Sequence, residues 1–212
     1  MKILMIADEE QQKELQSTKI EYNAEVVFNN TLLNAVDYKN FNSIFILNES
    51  WRKFDFNIAE EKPVFINSVI EPLSQLKLPH YVSRMNAWPG FLQREVWEIS
   101  SNENQSFENI FASLNRKSIP VKDEPGFVAA RVMSMIINEA FYALGEGVST
   151  REEINLAMKS GTNYPAGPFE WTEKIGIKNI YTLLEKLSEK ENRYHPAPAL
   201  KKLFLEKPGI DL

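Results

Sequence analysis

The chain has 212 residues, 43% of them apolar and 25% charged, the composition of a soluble globular protein of one large domain or two modest ones. Its 24 basic residues against 29 acidic ones, for a net charge of −5, provide no basic stripe for nucleic-acid phosphates. The lack of cysteine excludes disulfides, thiolate metal sites and cysteine nucleophiles, and the distant pair His80 and His195 argues against a histidine-rich metal site.

The N-terminal run Met1–Ala7 reaches Asp8 too soon for a signal peptide or a membrane span, so a cytoplasmic protein without membrane association is expected. Lys2–Ala7 reads as a strand, as do Ala24–Asn29, Ser43–Asn48, Pro63–Ser68, Tyr81–Asn86 and Glu95–Ser100. These runs are rich in Val, Ile and Phe and are bounded by Asn, Asp, Pro or Ser. Glu9–Ser17 and Thr31–Tyr38 can form helices between the first three. Ile3–Ile6 and Ile44–Leu47 are apolar on both faces, as strands of a helix-covered parallel sheet must be. The β-α-β-α-β order predicts a doubly wound sheet.

The character of the chain changes near Pro120. Phe127, Val128, Val132, Met135, Ile136, Ala140 and Leu144 follow helical spacing, and Gly145 and Gly147 end that helix. Thr150 and Glu153 have the spacing of a capping box, and Ile154, Ala157 and Met158 carry the next apolar face as far as Gly161. Further helical patterns begin near Phe169 and run over Ile180–Ser188. The expected layout is an α/β domain over 1–120 and an all-α domain over 121–212.

A dinucleotide site on such a sheet uses a Gly-x-Gly-x-x-Gly turn after the first strand, where free amides and a helix N terminus meet the pyrophosphate. Here the turn reads Ala7-Asp8-Glu9-Glu10, with no glycine and with carboxylates that repel a diphosphate. Asn29 stands where an acidic residue would accept from the ribose hydroxyls. Taken alone, the turn points to a sheet kept as scaffold, with NAD bound by an unconventional loop as the alternative.

The segment Asp123-Glu124-Pro125-Gly126-Phe127-Val128-Ala129-Ala130-Arg131 resembles the D-x-P-G-F-V-x-N-R motif of 3-hydroxyacyl-CoA dehydrogenases. Asn138–Ala140, Gly145–Val148, Met158–Gly161, Tyr164–Glu170, Arg193-Tyr194 and Leu200–Leu203 follow in that family's order. The resemblance implies a Rossmann-like NAD domain, degenerate here, followed by a helical dimerisation domain. It also implies a homodimer, with an acyl-CoA or related small molecule as ligand, and the apolar faces of the helices at Phe127–Leu144 and Ile180–Leu187 are expected to pack across its two-fold interface.

In the family a histidine at a strand end acts as general base, a glutamate orients it, and a helix-borne asparagine and a serine assist. The family's H-F-F-N-P-x-x-x-M-x-L-V-E-V segment resembles Asn86–Ile99, laid without gaps. Glu98 then matches the orienting glutamate, Asn86 takes the position of the histidine, and Ala130 takes that of the asparagine. Ser68 is a candidate for the serine by type alone. An amide has no pKa near neutrality and cannot take up the alcohol proton as imidazole does. His80 would face another part of the sheet, and Trp88 and Trp97 read as core.

The N-terminal half is shorter than the family norm, which implies lost strands or loss of the helical excursion over the acyl-CoA. The chain also ends at Leu212 without the family's Gly/Lys-rich tail. The expectation is therefore a diverged relative without NAD-dependent activity, with no cofactor and no metal, retained as a dimeric binding or regulatory protein. The alternatives are an active oxidoreductase with a rearranged site and a structural partner of another dehydrogenase.

Overall fold

In the computed structural model, which describes residues 1–17, 22–32, 38–59, 61–102 and 106–206, the chain divides into Met1–Phe127 and Val128–Leu212. The first unit contains β1 (Lys2–Ile6), α1 (Glu9–Ser17), β2 (Glu25–Asn29), β3 (Ser43–Ile46), β4 (Val64–Asn67), α2 (Leu73–Leu76), β5 (Val82–Met85), β6 (Val96–Ser101), α3 (Glu108–Ser113) and β7 (Lys117–Pro120). They build a seven-stranded sheet in the order β2-β1-β3-β4-β5-β6-β7. Only the β5–β6 pairing is antiparallel. After β1 the chain adds β2 on one side and β3 on the other, the topological switch of a doubly wound fold.

Side-chain alternation divides the core between the two faces of the sheet. Ile3, Met5, Phe45 and Phe65 join Trp97 and Phe111 in one cluster, while Leu4, Ile6, Ile44, Ile46, Val64 and Ile66 join Trp51 and Tyr81 in another. Phe45 and Phe65 stack with ring centroids 4.5 Å apart, and Phe111 meets both edge-on. The six expected strands are present with ends shifted by a residue or two. β7 was not foreseen, because it is a largely exposed edge strand without apolar alternation. The expected helix over Thr31–Tyr38 falls mostly on residues 33–37, which lie outside the described residues.

The second unit holds α4 (Ala129–Gly145), α5 (Arg151–Thr162), α6 (Pro168–Ile175), α7 (Ile177–Ser188) and α8 (Pro198–Glu206). Thr150 caps α5 reciprocally with Glu153, as the spacing predicts. Asn138, buried on α4, donates to the His195 carbonyl at 2.9 Å and accepts from the Ala197 amide at 2.8 Å, pinning the segment that leads into α8. Two expectations need correction. Phe127 does not begin α4, because it and Gly126 have positive φ and form a turn ahead of the helix. The apolar face of α7 is not free to form an interface either, since Ile180, Leu183, Leu184 and Leu187 are buried in the core. Among the described residues no helix is long and apolar enough to cross a membrane.

Candidate functional site

The C-terminal ends of the parallel strands, where doubly wound folds hold their ligands, carry two polar clusters. The first lies at the turn after β1. Asp8 Oδ1 accepts from the Gln11 amide at 2.8 Å, and Gln11 Oε1 accepts in return from the Asp8 amide at 3.1 Å. This is a reciprocal cap on α1. Gln11 Nε2 also donates to the Leu47 carbonyl at 2.5 Å, bridging the ends of β1 and β3, and Gln12 Nε2 donates to the Ala7 carbonyl at 2.8 Å. The helix N terminus is thus closed by its own side chains. A phosphate placed here would have to displace Asp8 from the Gln11 amide, and the turn lacks the open amides of a glycine-rich cradle.

The second cluster follows β5. The antiparallel register Met85↔Ile99 sets the next pair, Asn86 and Glu98, opposite one another. Asn86 Nδ2 lies 3.5 Å from Glu98 Oε2, a long hydrogen bond, while Asn86 Oδ1 accepts from the Trp88 amide at 3.3 Å. These two partners fix which end of the amide is oxygen. Asn86 is buried and Glu98 half-buried. Asn67, at the end of β4, accepts from the Ala87 amide at 3.1 Å. Two backbone amides in the following loop, Gly90 and Gln93, donate to the two carboxylate oxygens of Glu14 on α1, at 2.8 and 3.1 Å.

Beneath this loop is a polar network that the composition of β5 hides. Arg84 is fully buried within the strand. Its guanidinium donates to Asp123 Oδ1 at 2.7 Å and to the carbonyls of Ser68 at 3.0 Å and Glu124 at 2.6 Å, and it lies 4.2 Å from the Phe127 ring centroid. Asp123 also accepts from the Leu73 and Ser74 amides at 2.9 and 3.0 Å, at the start of α2. Burial pulls the Arg84 pKa down, and Asp123 opposes that shift. Burial pushes Asp123 up, but the Ser74 and Leu73 amides and Arg84 outweigh it and hold the carboxyl below its ordinary range.

The other expected site residues are dispersed. The Ser68 hydroxyl is used on the Glu71 carbonyl at 2.8 Å. His80 is exposed and precedes β5, whereas Asn86 follows it, so the strand separates the two. Trp88 and Trp97 are core, with Trp97 Nε1 donating to the Leu92 carbonyl at 3.2 Å. Ala130 is buried in the second unit, at the start of α4. Motif matching missed Arg84, Glu14 and Asn67. A charged residue in the middle of an expected strand was the one signal that could have revealed Arg84.

A doubly wound sheet with polar groups gathered at its strand ends is followed in the chain by a helical unit, an architecture suited to a ligand at the strand ends. Residues 126–208 match the family model described as 3-hydroxyacyl-CoA dehydrogenase, C-terminal domain. A 3-hydroxybutyryl-CoA dehydrogenase of Clostridioides difficile is 31% identical over 144 residues, covering 64% of this chain and 51% of that protein. The crystal structure of (S)-3-hydroxybutyryl-CoA dehydrogenase from Ralstonia eutropha superposes with a TM-score of 0.67 at 23% identity, over 86% of this chain and 70% of the other. A solved dehydrogenase of 5-formyl-3-hydroxy-2-methylpyridine 4-carboxylic acid, described as an NAD+ dependent dismutase, gives a TM-score of 0.62 at 17% identity, over 99% and 87% of the two chains. The chain spans about half, or less, of the length of the curated relatives it matches.

These relatives correct the expectation that no cofactor accompanies this chain. These homologues are NAD-dependent dehydrogenases, and an expectation of no cofactor conflicts with them. The glycine-free turn bears on how a phosphate would be received and does not remove NAD from the family's chemistry.

Proposed function

We propose that this protein is a 3-hydroxyacyl-CoA dehydrogenase relative whose hydroxyacyl oxidation is lost or greatly slowed, and that it serves as a dimeric acyl-CoA-binding or regulatory protein. One observation carries the reading: the residue facing Glu98 at 3.5 Å is the amide of Asn86. A carboxylate in that place can orient an imidazole, but next to an amide it has no base to orient. Loss of a general base typically lowers a rate by about 10²–10⁴. The reading rests on this missing base and makes no claim about the cofactor.

The dimer half of the proposal is supported by α4. Val128 and Val132 are 58% and 52% exposed, and a shallow groove of about 370 Å³ beside them is lined by Val132, Met135 and Ile136 with Arg131 and Arg193. Exposed apolar area of this kind marks interaction surfaces. Light scattering at tens of micromolar should therefore give twice the mass of the chain, and a monomer would contradict the dimer.

The second reading, an active oxidoreductase with a rearranged site, is favoured by the names of the relatives, all dehydrogenases. Calorimetric titration with acetoacetyl-CoA and with NADH, run beside an assay on 3-hydroxybutyryl-CoA, separates the two. Acyl-CoA binding without turnover supports the first reading, and turnover supports the second.

A further inference from the structure

The loop joining β5 to β6 begins at Asn86, so its conformation sets where Asn86 sits against Glu98 on β6. The antiparallel register ends at Met85↔Ile99. Beyond it Glu98 stays in the β6–β7 ladder, opposite Ile119, whereas Asn86 has left β5 and is held by the loop. Within that loop Gly90 has a φ of 91°, a conformation open to glycine at little cost. Phe91 and Leu92 turn inward and are buried. The backbone amides on either side of this buried pair, Gly90 and Gln93, point to a single side chain, Glu14. Glu14 lies 76 and 79 residues earlier, in the middle of α1.

Each Glu14 oxygen takes one amide, at 2.8 and 3.1 Å. Hydrogen bonds from neutral amides to a carboxylate are among the stronger ones in proteins. The same helix is anchored one turn earlier by Gln11, which donates to the Leu47 carbonyl. α1 is therefore fixed to the sheet at its N-terminal turn and grips the loop with its next turn. A surface Glu would serve solubility equally well if it pointed to water, and this one is half-buried against backbone.

We infer that Glu14 is a positioning residue, which holds the loop in the conformation that keeps Asn86 against Glu98 and so shapes the acyl-ligand site. The inference rests on the proposed reading of that site as one that binds acyl-CoA. Glu14 touches no reacting atom and acts through the loop backbone alone. Glu14→Ala removes both acceptors, whereas Glu14→Gln keeps one acceptor oxygen and must give an intermediate result.

The test is amide hydrogen exchange over residues 86–98, together with acetoacetyl-CoA titration, in the full chain and in both variants. Glu14→Ala should speed exchange at Gly90 and Gln93 by about tenfold or more and leave β1 and β3 unchanged, and it should weaken acetoacetyl-CoA binding by about three- to tenfold. Glu14→Gln should recover part of both losses. Unchanged loop exchange in Glu14→Ala would overturn the inference. A loosened loop with undiminished acetoacetyl-CoA affinity would overturn it as well, by reducing Glu14 to a structural contact. If the wild-type chain fails to bind acetoacetyl-CoA, the ligand reading falls, while the exchange result still decides whether Glu14 holds the loop.

Discussion

Asp123→Ala strikes a highly connected polar group of the first unit. Asp123 is the carboxylate to which the fully buried Arg84 guanidinium donates, and it also satisfies the Leu73 and Ser74 amides. Its removal takes from a buried cation the carboxylate it donates to and strips the start of α2. Breaking a buried ion pair from one side costs about 3–5 kcal/mol. Asp123 keeps 24% of its side chain exposed, so water can partly replace it and the low end, about 3 kcal/mol, is expected. Urea unfolding followed by tryptophan fluorescence should show a lower midpoint with an unchanged slope. The double variant Arg84→Met/Asp123→Ala should recover much of the loss, because no unpaired charge remains. A loss below about 1 kcal/mol in the single variant, or no recovery in the double, would refute the reasoning.

The pH dependence of the same pair has a definite sign. The folded-state pKa of Asp123 is depressed, so its contribution is fully present above the unfolded carboxylate value and is lost as pH falls through the lower folded value. The stability gap between wild type and Asp123→Asn should accordingly narrow on acidification below about pH 4, as seen in urea midpoints across that range. Asn138→Leu should cost about 2 kcal/mol by leaving the His195 carbonyl and Ala197 amide without their partner, measured by thermal unfolding of the full chain. Thr150→Ala should cost about 1 kcal/mol through loss of the α5 cap, whereas Thr150→Ser should cost a few tenths at most. Asn86→His combined with Ala130→Asn should raise NAD-dependent oxidation of 3-hydroxybutyryl-CoA by about 10²-fold if the missing base is the main lesion.

The parts of this structure that were legible in the sequence are those governed by burial. Ile3–Ile6, Ile44–Ile46 and Val64–Ile66 are buried on both faces, and their unbroken apolar runs announced it. The opposition of Asn86 and Glu98 was implied by the resemblance and matches the antiparallel register of β5 and β6. Features decided by backbone conformation or by distant partners were not legible. Phe127 fits the helical apolar period, yet its positive φ places it outside α4 and against Arg84. The apolar stripe of α7 looked like a surface for a second copy because periodicity records that a face is apolar and not what covers it. Glu14 could not be singled out, since nothing local marks a carboxylate whose partners lie in a loop 76 and 79 residues on.

The central claim is that Asn86 has taken the place of a base. Steady-state NAD reduction with 3-hydroxybutyryl-CoA, measured side by side with a 3-hydroxybutyryl-CoA dehydrogenase under identical conditions, tests it most directly. The account predicts a kcat lower by about 10²–10⁴ for this protein. A kcat within about tenfold of the comparison enzyme would contradict it.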